Sequence, residues 1–253
     1  MNLTSFRQRF KELPPLERDI LKIMAIACEP LDTGLLVRLL RRCQIFGPRG
    51  ELITSKHLEA PRQVLDDAGW LDYSAGEQWA LRYNYLHLVL RMAVIDLWYK
   101  TVLQMLRSEL PFVVQPGQPP RNFGVCLREL SAALYAGDME RMDEVSRAAR
   151  RYFPTQWQHT DLLATVFGPF DPEWLGTFHR DVQVFILNRF IEEAVEQLES
   201  TEEYEAVAQA AGFSAVKDCP GLAVARCLQG KAKEVLIELQ GQPQSKDMAP
   251  MEG

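Results

Sequence analysis

The sequence has no phosphate-binding loop. Neither GxxxxGK[ST] nor GxGxxG occurs, which excludes the two commonest nucleotide cradles. There is no GxSxG elbow and no cysteine in a protease-like pattern. The histidines His57, His87, His159 and His179 have no His or Cys three or four residues away, the spacing a local zinc site would need. The cysteines Cys28, Cys43, Cys126, Cys219 and Cys227 are odd in number and form no CxxC pair, so they read as reduced thiols of a cytoplasmic chain. No apolar run approaches the ~18 residues of a membrane span. MNLTSFRQRFKELPP lacks the apolar centre of a secretory signal. No catalytic residue, metal or cofactor is therefore expected, and the chain is read as a non-enzyme.

A strong basic excess is also missing. The net charge is -6, which argues against a general polyanion binder. The charge is uneven, however. Residues 1–100 carry 14 Lys and Arg against 12 Asp and Glu, whereas the rest carry 14 against 22. Any nucleic-acid contact is thus expected in the first hundred residues.

What is present is a helical period and enough apolar material, 47% of the chain, for a real core. In LERDILKIMAIAC, Leu16, Ile20, Ile23, Met24 and Ala27 share a face, behind Pro14 and Pro15, which suit a helix start. In LDTGLLVRLLRRC, Asp32 or Thr33 caps a helix with Leu35, Leu36, Leu39 and Leu40 on one side. Arg38, Arg41 and Arg42 form a basic ridge on the other. GPRGE (47–51) reads as a turn. SKHLEAPRQVLDDAGW predicts a third helix, capped at Ser55, with Pro61 in or just after a distorted first turn and Gly69 as its stop. WLDYS and QWALRY alternate as two short strands around SAGE. His87 then starts a long apolar helix over 86–110, where it reads as a packed or capping residue.

Three helices and a hairpin in this order predict a winged helix. Its nucleic-acid candidates are Arg38, Arg41, Arg42, Arg49, Lys56 and Arg62. The third helix is offset by Glu59, Asp66 and Asp67, and the hairpin tip carries Glu77 and no cation. Such a wing has little counterion-release drive, so packing against protein is favoured over duplex DNA.

Pro111, Pro116, Pro119 and Pro120 make 111–122 the expected linker. Beyond it, Phe123, Leu127, Leu130 and Leu134 form one stripe. Gly137 stops that helix, Asp138 caps the next, and Met139, Met142, Val145, Ala149 and Tyr152 face it as an αα-hairpin. Residues 171–200 read as a helix apolar around its circumference, with shorter helices following. Glu192, Glu193, Glu196 and Glu199 form a solvated acidic run, the candidate contact for a basic partner. The tail 241–253 is polar and expected to fray.

LPPLERDILKIMAIACEPLDTGLLVRLL followed by DAGWLDYSAGEQWALRYNYLHLVLRMAV resembles the winged-helix module beside helical repeats in STAND-type signalling ATPases. Arg82, Tyr83, Leu86 and His87 form the matching strand-to-helix junction. The spacing PPLER…EPL…FGPRGELIT, with FDPEWL and ARCLQGKAKEVLIEL, is similar to the N-terminal accessory region of some bacterial SWI2/SNF2-type helicases. The ATPase motifs of both families are missing, so no catalytic residue carries over. The resemblance implies an accessory part whose partner is an ATPase or helicase motor.

The expectation is a mainly α protein. A winged helix with a small β-hairpin and a long exit helix fills 1–110, and 111–122 links it to a TPR-like array of helical hairpins over 123–240. The expected function is a regulatory, protein-interaction module. DNA-binding regulation through the winged helix is the alternative.

Overall fold

The computed structural model describes residues 3–47, 49–72, 77–113, 118–159, 168, 170–214 and 217–240. The chain is mainly helical and divides into two compact units, Met1–Pro169 and Phe170–Gly253. The α7–α8 hairpin described below falls in the first unit, although the proline-rich segment precedes it.

In the first unit, α1 (Leu3–Glu12) buries only Phe6 and Phe10, too few positions for a visible sequence stripe. Both rings meet Trp70 edge-on, at 5.8 and 6.2 Å, and Arg9 lies 5.2 Å over the same indole. The central helix is α2 (Pro15–Ala27), with Pro15 in its first turn and the expected apolar face buried. It packs against α3 (Thr33–Arg42), α4 (Glu59–Asp67), α5 (Leu86–Ala93), α6 (Tyr99–Glu109) and α7 (Phe123–Ala136). α2 ends on Cys28 in the left-handed region (φ 55), whose N–H donates to the Met24 carbonyl. Asp32 caps α3, accepting from Leu35 N–H at 2.7 Å.

α4 begins through a 3-10 turn, Ser55–Leu58. The cap is Thr54 rather than Ser55: its N–H donates to His57 Nδ1 at 3.0 Å. Pro61 is the third residue of α4, where a helix N–H has no internal acceptor to lose.

No extended strand occurs among the described residues. Single antiparallel bridges join Leu31 to Trp79, Phe46 to Leu52 and Leu71 to Leu81. The expected hairpin tip at 74–76 lies outside the described residues, as do 114–117 of the proline-rich segment and the tail 241–253.

The expected continuous helix over 86–110 is two helices. A turn at 94–98 separates α5 from α6, held by Asp96 N–H to the Ala93 carbonyl and Tyr99 N–H to the Asp96 carbonyl. Asp96 accepts from Lys22 Nζ at 2.7 Å, which pins the turn to α2. A straight 25-residue helix would run ~37 Å and carry its second half off the core; the turn lets α6 fold back onto α2 and α3.

Asn122 caps α7, Gly137 ends it at φ 71, and Asp138 caps α8 (Met139–Tyr152). Met142, Val145 and Ala149 are buried as expected, while Tyr152 is exposed. α9 (Pro154–His159) follows.

In the second unit, α10 (Pro172–Leu175) precedes α11 (Arg180–Glu196), which packs on α12 (Glu202–Ala210) and α13 (Pro220–Leu228). α14 (Ala232–Gln240) packs on α13. α11 is not buried all round: Val182, Ile186, Leu187, Phe190, Ile191 and Ala194 make a single stripe. Among the described residues no helix is long and apolar enough to cross a membrane.

Candidate functional site

The six nucleic-acid candidates divide by what holds them. Arg38 pairs with Glu109 of α6 at 3.0 Å. Arg41 Nε donates to the Ile53 carbonyl at 2.6 Å. Arg62 donates to the Glu77 carbonyl at 2.6 Å and its guanidinium lies 5.2 Å over the Trp79 ring, so it braces the base of the 70–82 segment. These three are structural ties. Arg42, Arg49 and Lys56 are exposed, and among the described residues no partner engages their charged side-chain groups.

Arg49 and Lys56 border a cleft of about 610 Å³ between the start of α2, the 46–51 loop and the start of α4. The loop is closed by Gly47 N–H to the Glu51 carbonyl at 2.8 Å and Gly50 N–H to the Gly47 carbonyl at 2.9 Å. Gly50 sits at φ 79, which favours glycine. Glu51 folds back over Gly47, where a Cβ would stand 2.5 Å from Glu51 Oε1. One Glu51 oxygen accepts from Arg49 N–H at 2.9 Å and the other lies 3.4 Å from His57 Nε2. Since Thr54 N–H donates to His57 Nδ1, neutral His57 carries its proton on Nε2, facing Glu51.

The acidic candidates lie on and just after α11. Glu192 pairs with Arg189 at 2.8 Å and Glu193 accepts from Gln197 at 3.1 Å. Glu196 and Glu199 are exposed. Burial, reinforced by Glu203, Glu199 and Glu193, pushes the Tyr204 hydroxyl up. Glu205, further along the same acidic stretch, is instead an internal tie: Arg226 bridges it at 2.6 Å and Glu238 at 3.2 Å.

A buried charge cluster in the first unit escaped the sequence reading. Arg128 has no side-chain exposure; its Nε lies 3.1 Å from Glu129 and its NH2 donates to the Leu110 carbonyl at 2.8 Å. Arg107 donates to both Glu129 oxygens at 2.8–3.2 Å. Arg121 and Asn122 both hold Glu29 at the end of α2. Burial pushes the Glu129 carboxyl up, but the Arg107 hydrogen bonds and the Arg107 and Arg128 charges outweigh it and hold the group below its ordinary range. A signal was available: Arg128 and Glu129 are the only charges in FGVCLRELSAALYA, too apolar a helix to leave both in water.

His87 is buried in the first turn of α5, and both ring nitrogens lack a hydrogen-bond partner among the described residues. Burial, with help from Arg91, pushes its pKa down to about 4. Burial likewise raises the thiols of Cys28 and Cys126 to about 12 and those of Cys43 and Cys219 to about 11, so none of these is a ready nucleophile. Among the described residues no group of three His, Cys, Asp or Glu could hold a metal ion.

Compared with protein-family models, with curated proteins and with solved structures, the chain finds no match.

Proposed function

We propose that the chain is a non-enzymatic interaction module. The observation that carries this is the outer face of the α13–α14 pair, where Val224, Leu228, Leu236, Ile237 and Leu239 are 47–69% exposed. Five large exposed apolar side chains on two packed helices are the kind of surface that marks a protein contact. A helical partner segment with its own apolar face suits it, and the acidic run through Glu196 and Glu199 favours a partner with basic residues beside that face.

Within this proposal the first unit is a winged helix used for packing. The bridges Leu31–Trp79 and Leu71–Leu81 support that reading, as does the use of Arg62 and Trp79 to brace the 70–82 segment. The second unit serves as a repeat-like helical layer. An ATPase or helicase motor is the partner class that the sequence resemblance brings in.

A photo-crosslinking residue at position 237 of the full chain, expressed in its native cells, should capture a discrete partner, and Leu236→Asp should abolish the capture. Absence of any specific adduct would sink the proposal. DNA-binding regulation is the second reading, favoured only by the three unengaged cations Arg42, Arg49 and Lys56.

A further inference from the structure

We infer that the second half of α8 and the start of α9 form a contact surface for single-stranded nucleic acid. From Ser146 to Gln158 the sequence carries Arg147, Arg150 and Arg151 and no Asp or Glu, in a chain of net charge -6. Positions 147, 150 and 151 are three and four residues apart, so they share one side of the helix, and all three are exposed. The nearest carboxylates on α8 lie further towards its start. Asp143 pairs with Arg147 at 2.9 Å, Glu144 pairs with Arg141 at 2.7 Å, and Glu140 stands exposed in the first turn. Arg150 and Arg151 have no carboxylate or hydrogen-bond partner among the described residues.

What each of these two does have is an aromatic ring. The Arg150 guanidinium lies 5.0 Å over the Trp157 ring, and that of Arg151 lies 5.2 Å over the Tyr152 ring. Trp157 is half-buried against the small core around Val145 and Ala149, and its N–H donates to the Phe153 carbonyl at 2.9 Å, so its ring is held in place. Tyr152 is exposed. The dipole of α8 accounts for two arginines in its last turn, but not for the ring that each keeps. A stacked guanidinium still offers its N–H edge to a phosphate, and an aromatic side chain takes a base against its open face. An acidic peptide would use the arginines and leave the rings idle. A duplex keeps its base faces against one another. A single strand alone supplies phosphates and open base faces together. This surface is independent of the α13–α14 proposal and of the duplex reading at Arg42, Arg49 and Lys56.

The test is fluorescence anisotropy of the full chain with labelled oligo-dT and oligo-rU of about 12 nucleotides, within the site sizes of single-strand binders. Unlabelled duplex DNA, linear polyphosphate and an oligoglutamate peptide serve as competitors. Both single strands should bind and the three competitors should displace them poorly; the tighter strand identifies the source as DNA or RNA. Three phosphate contacts give a slope of log affinity against log salt of about -2.1, and Arg150→Gln with Arg151→Gln should lower it to about -0.7. Tyr152→Leu and Trp157→Leu keep apolar bulk but remove the π face. Each should weaken binding at least about fivefold at unchanged circular dichroism; if Trp157→Leu disturbs the fold, the exposed Tyr152 carries the comparison. Arg42→Gln with Lys56→Gln should leave the affinity unchanged. Absence of single-strand binding at low salt, displacement by polyphosphate or oligoglutamate as readily as by the strand itself, or indifference to the ring substitutions would overturn the assignment.

Discussion

Arg107 of α6 grips Glu129 of α7 through both carboxylate oxygens, with NH2 at 2.8 Å and Nε at 3.0 and 3.2 Å. The same carboxylate neutralises Arg128, whose side chain has no exposure at all. Glu129→Ala therefore leaves a buried guanidinium with one fewer anion, and stability should fall by about 3–5 kcal/mol. Glu129→Gln keeps the shape and hydrogen-bond acceptor and should cost less. Urea unfolding midpoints at neutral pH compare the two, and equal midpoints would remove the charge from the explanation.

The buried His87 predicts a pH response. Its pKa is about 4 in the fold against an ordinary 6.5, so the unfolded chain binds the proton more readily. Stability is then full above about pH 6.5 and declines as the pH falls towards 4, by at most about 3 kcal/mol. Glu129 acts in the same direction at more acid pH: its depressed carboxyl stabilises the fold above its ordinary 4.5 and loses that contribution below it. His87→Leu should flatten the decline between pH 6.5 and 4.5 and leave the steeper acid limb intact. Thermal melts across that range would show it.

Gly124 should resist replacement even by the best helix former. In the first turn of α7, a Cβ there would stand 2.5 Å from the Cys28 carbonyl oxygen and 3.0 Å from Glu29 Cβ. Alanine gains about 1 kcal/mol of helix propensity, but the close approach of α7 to the end of α2 must open. A net loss of about 1–3 kcal/mol is expected from overpacking. A raised melting temperature for Gly124→Ala would mean that this contact yields freely.

Duplex DNA should bind weakly at most. With Arg38, Arg41 and Arg62 tied to groups of the chain itself, three candidate cations remain, so the plot of log affinity against log salt should be no steeper than about -2.7. Fluorescence anisotropy from 50 to 200 mM salt gives that slope. A steeper one, reduced by Arg42→Ala or Lys56→Ala, would restore the nucleic-acid reading.

The helical stripes of α3 and α8 were legible because each buries one face with a 3.6-residue period, whereas α2 and α7 also bury consecutive residues, 23–27 and 125–134, beyond their visible stripes. The caps Asp32, Asn122 and Asp138 act over three residues; local sequence alone singled out Asp138 and narrowed the other to Asp32 or Thr33. The candidate cations were recognisable as charges, but not by role. Arg42 and Arg41 are neighbours of one type, and only the position of Ile53 makes Arg41 a brace.

Local sequence by itself thus determined a mainly helical chain, the buried faces of its principal helices and several of their ends, because period and capping act within a turn or two. Tertiary structure decided the rest. It broke 86–110 into two helices by pairing Asp96 with Lys22, 74 residues away. It assembled Glu29, Arg107, Arg121, Arg128 and Glu129 from distant segments. Such outcomes depend on which surfaces meet, since a charge's energy is set by the burial and partners that folding gives it.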